Sequence, residues 1–298
     1  MRTKLMFMTA GLAAAALTLA GCAGDSGGTG AGSESGEAAT YEVASDVTLE
    51  GSPTFDTMTD AGGVTIGVKE DQPGLGYLDA ATGERSGFDI EIAKWIAASL
   101  GFSEDEITFE AIPSANREAS IVNGDIDYYV GTYSITDKRK EQVGFAGPYF
   151  ETGQQLLVAA DNDTIEGPDD LTADTTVCSA TGSTPIQNIR TNYPDVPTEE
   201  FDTYSQCVDA LNDGQVDAVT TDGAILIGYA AQSPDELKVV GEPFSTELYG
   251  VGLAKDDDAL RGFINDMLTE GGDTWSAIYD ETLGESGTEV EQPAVDAY

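Results

Sequence analysis

Residues 130–139 read Val-Gly-Thr-Tyr-Ser-Ile-Thr-Asp-Lys-Arg, and their types and spacing suit the capture of a small anion. The apolar run from Asp127 to Val130 predicts a strand, and Thr136-Asp137 predicts a helix start. Gly131 would let a ligand approach the backbone, while Thr132 and Ser134 offer hydroxyls and N–H groups. Arg139 carries a fixed, permanently charged fork that matches a carboxylate bidentately. Such a set needs neither metal nor covalent chemistry. An ordinary strand–turn–helix with a surface arginine would carry the same residues, so the rest of the chain has to decide between the two.

Three further groups could join this site. Thr181-Gly182-Ser183-Thr184-Pro185 has the composition of a helix N-terminus, whose free N–H groups attract anions. Simple capping by Ser183 or Thr184 would use the same residues. Asp222 follows Thr220-Thr221 at a predicted strand end, where a carboxylate can hold an ammonium group or cap the next helix. Lys69 and Arg117 each lie just past a predicted strand. The chain has 13 basic residues against 54 acidic ones, so two cations at one rim carry information.

The elements that must position these groups alternate. A strand at Val64 to Val68, a helix opened by Gly87-Phe88-Asp89, a strand at Ile107 to Ala111, a helix ending at Asn123-Gly124 and the strand before Gly131 make a first α/β series. Phe145 to Phe150 is expected to be irregular, and Gln154 to Ala160 to connect. A second series follows: strands at Thr176 to Ser179, near Phe201 and at Ala218 to Thr221, with helices between them. Tyr249 to Leu253 and two terminal helices complete the pattern. Asn123-Gly124-Asp125-Ile126-Asp127 resembles Asp213-Gly214-Gln215-Val216-Asp217, a weak repeat that argues for two like lobes with a cleft at their strand ends.

The ends and the charge bound the function. Arg2 and Lys4 precede an apolar run that stops at Leu19-Ala20-Gly21-Cys22, which resembles a bacterial lipobox. Residues 1–21 are therefore expected to be a lipoprotein signal peptide, with lipid on the Cys22 thiol. Residues 22–59 are expected to be a flexible linker and 284–298 a disordered acidic tail. The net charge of −41 repels nucleic acid and anionic headgroups, and suggests a salty habitat. In an exported chain the remaining cysteines, Cys178 and Cys207, are expected to form a disulfide. With no histidine, no metal site is expected.

Gly-Phe-Asp-Ile-Glu-Ile-Ala (87–93), Thr-Tyr-Ser-Ile-Thr-Asp-Lys-Arg (132–139), Phe-Ala-Gly-Pro-Tyr (145–149) and Thr-Gly-Ser-Thr (181–184) together resemble the polar amino-acid binding proteins of ABC importers. The similarity extends in particular to the glutamate-binding lipoproteins of Gram-positive actinobacteria. It implies an α/β, two-lobed type II periplasmic-binding-protein fold, with two mixed, mostly parallel sheets joined by a two-strand hinge. Lobe 1 would comprise 60–153 and 249–283, and lobe 2 would comprise 158–245. By the same correspondence Arg139, Thr132, Ser134, Ser183 and Thr184 would hold a ligand's α-carboxylate and Asp222 its α-ammonium. Lys69 and Arg117 would read an acidic side chain. Tyr204 stands where some acidic-amino-acid binders have histidine, and Gln72 replaces an aromatic platform of basic-amino-acid binders. The implied protein is a monomer without cofactor, lipid-anchored on the extracellular face of the cell membrane. It would pass a free amino acid, glutamate foremost, to permease subunits. Glutamine and aspartate stay open as ligands. An enzyme on the same fold, a dehydratase or lyase using Glu70, Asp71 or Asp222, is the alternative, as is a sensor subunit.

Overall fold

Hydroxyl or carboxylate side chains open several of the helices. In the computed structural model, residues 41–284 and 290–298 are described; the signal segment and Cys22 lie outside them. Ser52 accepts from the Phe55 N–H at 3.1 Å, and with Pro53 in the first turn it opens α1 (Pro53–Ala61). The first series then runs β1 (Val64–Val68), β2 (Asp71–Gln72), β3 (Gly76–Leu78), β4 (Arg85–Ser86), α2 (Phe88–Ser99), β5 (Ile107–Ala111), α3 (Arg117–Asn123) and β6 (Tyr128–Tyr129). After α4 (Asp137–Lys140), capped by Thr136, come the long strand β7 (Gly144–Thr152) and β8 (Gln154–Ala159). The second series is β9 (Val177–Ala180), α5 (Thr184–Asn192), β10 (Thr198–Phe201), α6 (Tyr204–Asn212), β11 (Ala218–Asp222), α7 (Gly223–Gln232) and β12 (Leu237–Val240). The chain returns through β13 (Glu247–Leu253) to α8 (Asp258–Glu270) and α9 (Gly272–Thr282).

Two five-stranded sheets result, ordered β5-β1-β6-β13-β7 and β10-β9-β11-β8-β12. In each, the βαβ part is parallel and the two remaining pairings are antiparallel, because the crossing strands enter from the other lobe. The sheets are thus evenly mixed rather than mostly parallel. The chain crosses once between β7 and β8 and again between β12 and β13. The two crossings lie side by side: the Phe244 N–H donates to the Gln154 carbonyl at 2.9 Å, and the Gln154 N–H donates to Ser245 Oγ at 3.1 Å.

The first sheet's core gathers Phe88 among Tyr149, Phe150, Trp275 and Tyr279, with ring centroids 5.3–6.3 Å from that of Phe88. Cys178 of β9 and Cys207 of α6 are joined by a disulfide, which ties the second sheet to its covering helix as expected.

Four expectations change. Within the segment read as a flexible linker, residues 41–59 are built into the fold. Ala44 N–H donates to the Ala98 carbonyl, and Ser52 Oγ donates to Asp257 Oδ2 at 2.8 Å. Within the segment read as a disordered acidic tail, residues 290–298 also pack: Asp296 N–H donates to the Gly147 carbonyl, and the Tyr298 ring lies beneath Lys140 and Arg261. Residues 145–150 belong to β7, where the Gly147–Pro148 peptide is cis. Strands β2–β4 and β12 were not foreseen, because two to four residues are too few to show a period.

Candidate functional site

The end of β6 delivers residues 130–134 to the junction of the two lobes, and the side chains around it are buried and charged. Arg139, on the four-residue helix α4, donates from Nε to Glu118 Oε1 (3.1 Å) and from one terminal nitrogen to the Ser134 carbonyl (2.7 Å). Its other terminal nitrogen donates to the Gly182 carbonyl of the second lobe at 3.2 Å. Two guanidinium groups lie against the Tyr133 ring, Arg117 at 4.4 Å and Arg139 at 4.9 Å from its centroid. Arg117 opens α3 and donates to the carbonyls of Ser114 (3.1 Å) and Thr132 (3.2 Å). Lys69 follows β1, and its Nζ donates to Ser114 Oγ (2.8 Å) and the Ile112 carbonyl (3.2 Å). Three cations therefore share one buried cluster. Burial first, and Arg117 next, lower the proton affinity of both Lys69 and Arg139, that of Lys69 to about 7.

The second lobe brings hydroxyls and a carboxylate. Ser183 caps α5, accepting from the Ile186 N–H at 3.3 Å, so for Ser183 the capping role is realised. Thr184 Oγ1 lies 3.3 Å from Ser134 Oγ across the cleft and donates to Glu247 Oε2 at 2.9 Å. Asp222 ends β11, and although it occupies the cap position of α7 its side chain does not cap. Instead Oδ2 accepts from Tyr249 OH at 2.6 Å, while Oδ1 is buried without a partner. Burial, followed by the nearby Glu247 carboxylate, pushes Asp222 up to about 7. Tyr204, the first residue of α6, is buried, and its hydroxyl is pushed up to about 12 by burial and by Asp222.

Cations on one side and an incompletely partnered carboxylate on the other suit a zwitterion. Among the described residues no cluster of three or more His, Cys, Asp or Glu side chains could hold a metal ion. Of the carboxylates considered for an enzyme, Glu70 is well exposed and pairs with Arg85 at 3.8 Å. Asp71 bridges the lobes, accepting at Oδ2 from the Ser205 N–H at 3.1 Å and from Tyr229 OH at 3.2 Å.

Residues 64–285 match the bacterial extracellular solute-binding proteins, family 3. The chain belongs to this family. A glutamate-binding protein of Corynebacterium efficiens is 43% identical over 244 residues, which cover 78% of this chain and 82% of that protein. A glutamine-binding protein of Geobacillus stearothermophilus is 40% identical over 238 residues, covering 80% and 87%. Among solved structures, an ancestral arginine-binding protein bound to glutamine superposes with a TM-score of 0.70 at 34% identity, covering 75% of this chain and 98% of that one. Relatives of this solute-binding protein are thus named for binding, with no enzyme among these.

Two of the expected site residues of this family member also have structural tasks. At Gly131 a Cβ would stand 2.7 Å from Tyr129 OH, so the glycine makes room for that ring. Thr132 is held by its neighbours. It adopts φ 48°, its N–H donates to Asp89 Oδ2 (3.0 Å), its hydroxyl to Gln72 Oε1 (3.1 Å), and its carbonyl accepts from Arg117. Three hydrogen bonds hold the left-handed backbone that a threonine avoids. Arg139, Ser134 and Thr184 are brought together. Lys69 and Arg117 meet at Ser114, and Asp222 and Tyr204 are neighbours. Sequence reasoning missed Glu118, Glu247 and the buried Asp89, which burial pushes up to about 6 against the donors Tyr149 and Thr132. The Gly-Phe-Asp motif carried the signal for Asp89, since it places a carboxylate one residue after an aromatic core anchor.

Proposed function

We propose that this solute-binding protein captures a free polar amino acid, L-glutamate foremost, between its lobes and delivers it to the permease of an ABC importer. The observation that carries the reading is the unpartnered, buried Oδ1 of Asp222 within electrostatic reach of Arg117 and Arg139. An amino acid completes that arrangement. Its ammonium offers donors to Asp222, and its α-carboxylate exchanges for the carbonyls now held by Arg139, helped by Ser134 and Thr184. A second, side-chain carboxylate would meet Lys69 and Arg117, a preference that glutamate satisfies and glutamine satisfies only in part. Ligand bonds made to both lobes stabilise the closed arrangement over an open one. The names of the glutamate-binding and glutamine-binding relatives support the same class. Tethering by lipid on Cys22 places the protein on the extracellular face of the membrane, next to the permease, as a monomer without cofactor.

Calorimetric titration with each of the twenty amino acids tests the reading, with glutamate expected to bind. In Arg139→Ala the charge-assisted bonds, about 1.5–3 kcal/mol each, are lost while the fold remains, so affinity falls a hundredfold or more. Wild-type protein that binds none of the twenty, or a folded Arg139→Ala protein of unchanged affinity, overturns it.

A further inference from the structure

Glu118 is the second residue of α3, where a carboxylate suits the helix N-terminus and could face solvent. It turns to Arg139 instead. Its Oε1 accepts from Arg139 Nε at 3.1 Å, with the Glu118 side chain 20% exposed and that of Arg139 9% exposed. Among the described residues this is the only ion pair that Lys69, Arg117 or Arg139 makes.

A guanidinium can grip a carboxylate along its two terminal nitrogens, or along Nε and the terminal nitrogen beside it. Glu118 occupies Nε and so closes the second edge. The terminal pair is left to the carbonyls of Ser134 (2.7 Å) and Gly182 (3.2 Å), one from each lobe, which the ligand's α-carboxylate would replace. The Tyr133 ring beside this guanidinium attracts its charge but directs none of its N–H groups, so that task falls to Glu118. We propose that Glu118 is a positioning residue for ligand capture: it holds Arg139 by Nε and thereby presents the two terminal nitrogens to the α-carboxylate. The bond is in place before the ligand arrives and need not break when it binds, so the fork meets the ligand already aligned. The inference rests on the amino-acid-binding reading.

Glu118→Gln and Glu118→Met are both uncharged and of like length, and only the first keeps an acceptor for Nε. Comparing one with the other cancels the loss of the carboxylate's charge, which affects an anionic ligand in both. In calorimetric titrations at equal salt and pH, E118M is expected to bind glutamate and glutamine each about tenfold more weakly than E118Q, since both ligands carry the α-carboxylate. Equal affinities in the two variants, or a penalty confined to one ligand, overturn the proposal. A merely structural Glu118 would lower the melting temperature of E118M and leave its affinities equal to those of E118Q. Glu118→Ala takes the place of E118M in the comparison if E118M does not fold. Wild-type protein that binds neither ligand overturns the underlying reading and takes this inference with it.

Discussion

Asp222 and Lys69 lie in one buried polar cluster, and burial drives each toward its neutral form. The signs are opposite. Lys69 sits at about 7, below its ordinary 10.5, so the empty protein bears the cost of a buried ammonium below pH 7 and sheds it as the pH rises. Asp222 sits at about 7, above its ordinary 3.8, so its cost is absent in acid and full above pH 7. A bound amino acid supplies the missing charge to both. Its ammonium holds Asp222 ionised, releasing a proton below pH 7; its carboxylates hold Lys69 protonated, taking one up above pH 7. Glutamate affinity is therefore expected to peak near pH 7 and fall by up to about tenfold per pH unit on either side. Lys69→Met should flatten the alkaline limb, and Asp222→Asn should reduce the acid limb, leaving the contribution of Asp89. Titrations at several pH values in buffers of different ionisation enthalpy count the protons directly, and a flat profile refutes the coupling. These cations were legible in the sequence because the chain has so few. Glu118 and Glu247 were not, for the converse reason: among 54 acidic residues, a carboxylate with a task looks like any other.

At the scale of elements, the lobes meet at two close approaches, each marked by a glycine. A Cβ on Gly182, ahead of α5, would stand 2.8 Å from Ala115 Cα, and one on Gly228, within α7, would stand 2.2 Å from the Pro73 carbonyl oxygen. Near the second approach, Asp71 accepts from Tyr229 of α7 and from the first turn of α6. Gly228 otherwise weakens its helix, where alanine would be favoured by about 1 kcal/mol. Gly228→Ala is therefore expected to leave the empty protein at least as stable while obstructing closure. Affinity should fall about tenfold for every amino acid alike, and small-angle scattering of the ligand-saturated protein should show a more open shape. Unchanged affinity would mean that the lobes close without this approach. The long elements of the fold were readable from hydrophobic spacing and caps, as α2 and α5 show. Helix α1 carried Ser52-Pro53, a sound start signal, but followed so much Gly and Ser that the segment read as linker. The packing of residues 290–298 depends on partners far away in sequence, such as Lys140 and Leu268, and no local pattern announces it.

The whole molecule is one topology used twice, and the weak sequence repeat marks a shared clamp. In the first lobe Thr65 N–H donates to Asp127 Oδ2 at 2.7 Å, and Asp127 N–H returns to the Thr65 carbonyl at 2.8 Å. In the second, Thr176 and Asp217 make the same two bonds at 2.7 and 2.8 Å. Each clamp registers the start of one strand against the loop that leads into its neighbour, which aims both strand ends at the cleft. That cleft gathers Lys69, Arg117 and Arg139 inside a chain of net charge −41, so local and global fields have opposite signs for an anionic ligand. At about 0.01 M salt the screening length is roughly 30 Å, and an approaching glutamate meets the repulsion of the whole protein; at 0.15 M it is about 8 Å, and only the nearest charges act. Glutamine, with no net charge, is indifferent to the far field. The association rate of glutamate should therefore rise with salt over this range while that of glutamine stays flat, the reverse of ordinary steering by opposite charge. Thermal stability of the empty protein should rise with salt for the same reason, as self-repulsion is screened. Stopped-flow mixing with each ligand at matched viscosity reads the rates. A glutamate rate that falls with added salt would show that the three cations govern the approach from a distance, and the separation of near and far fields would not hold.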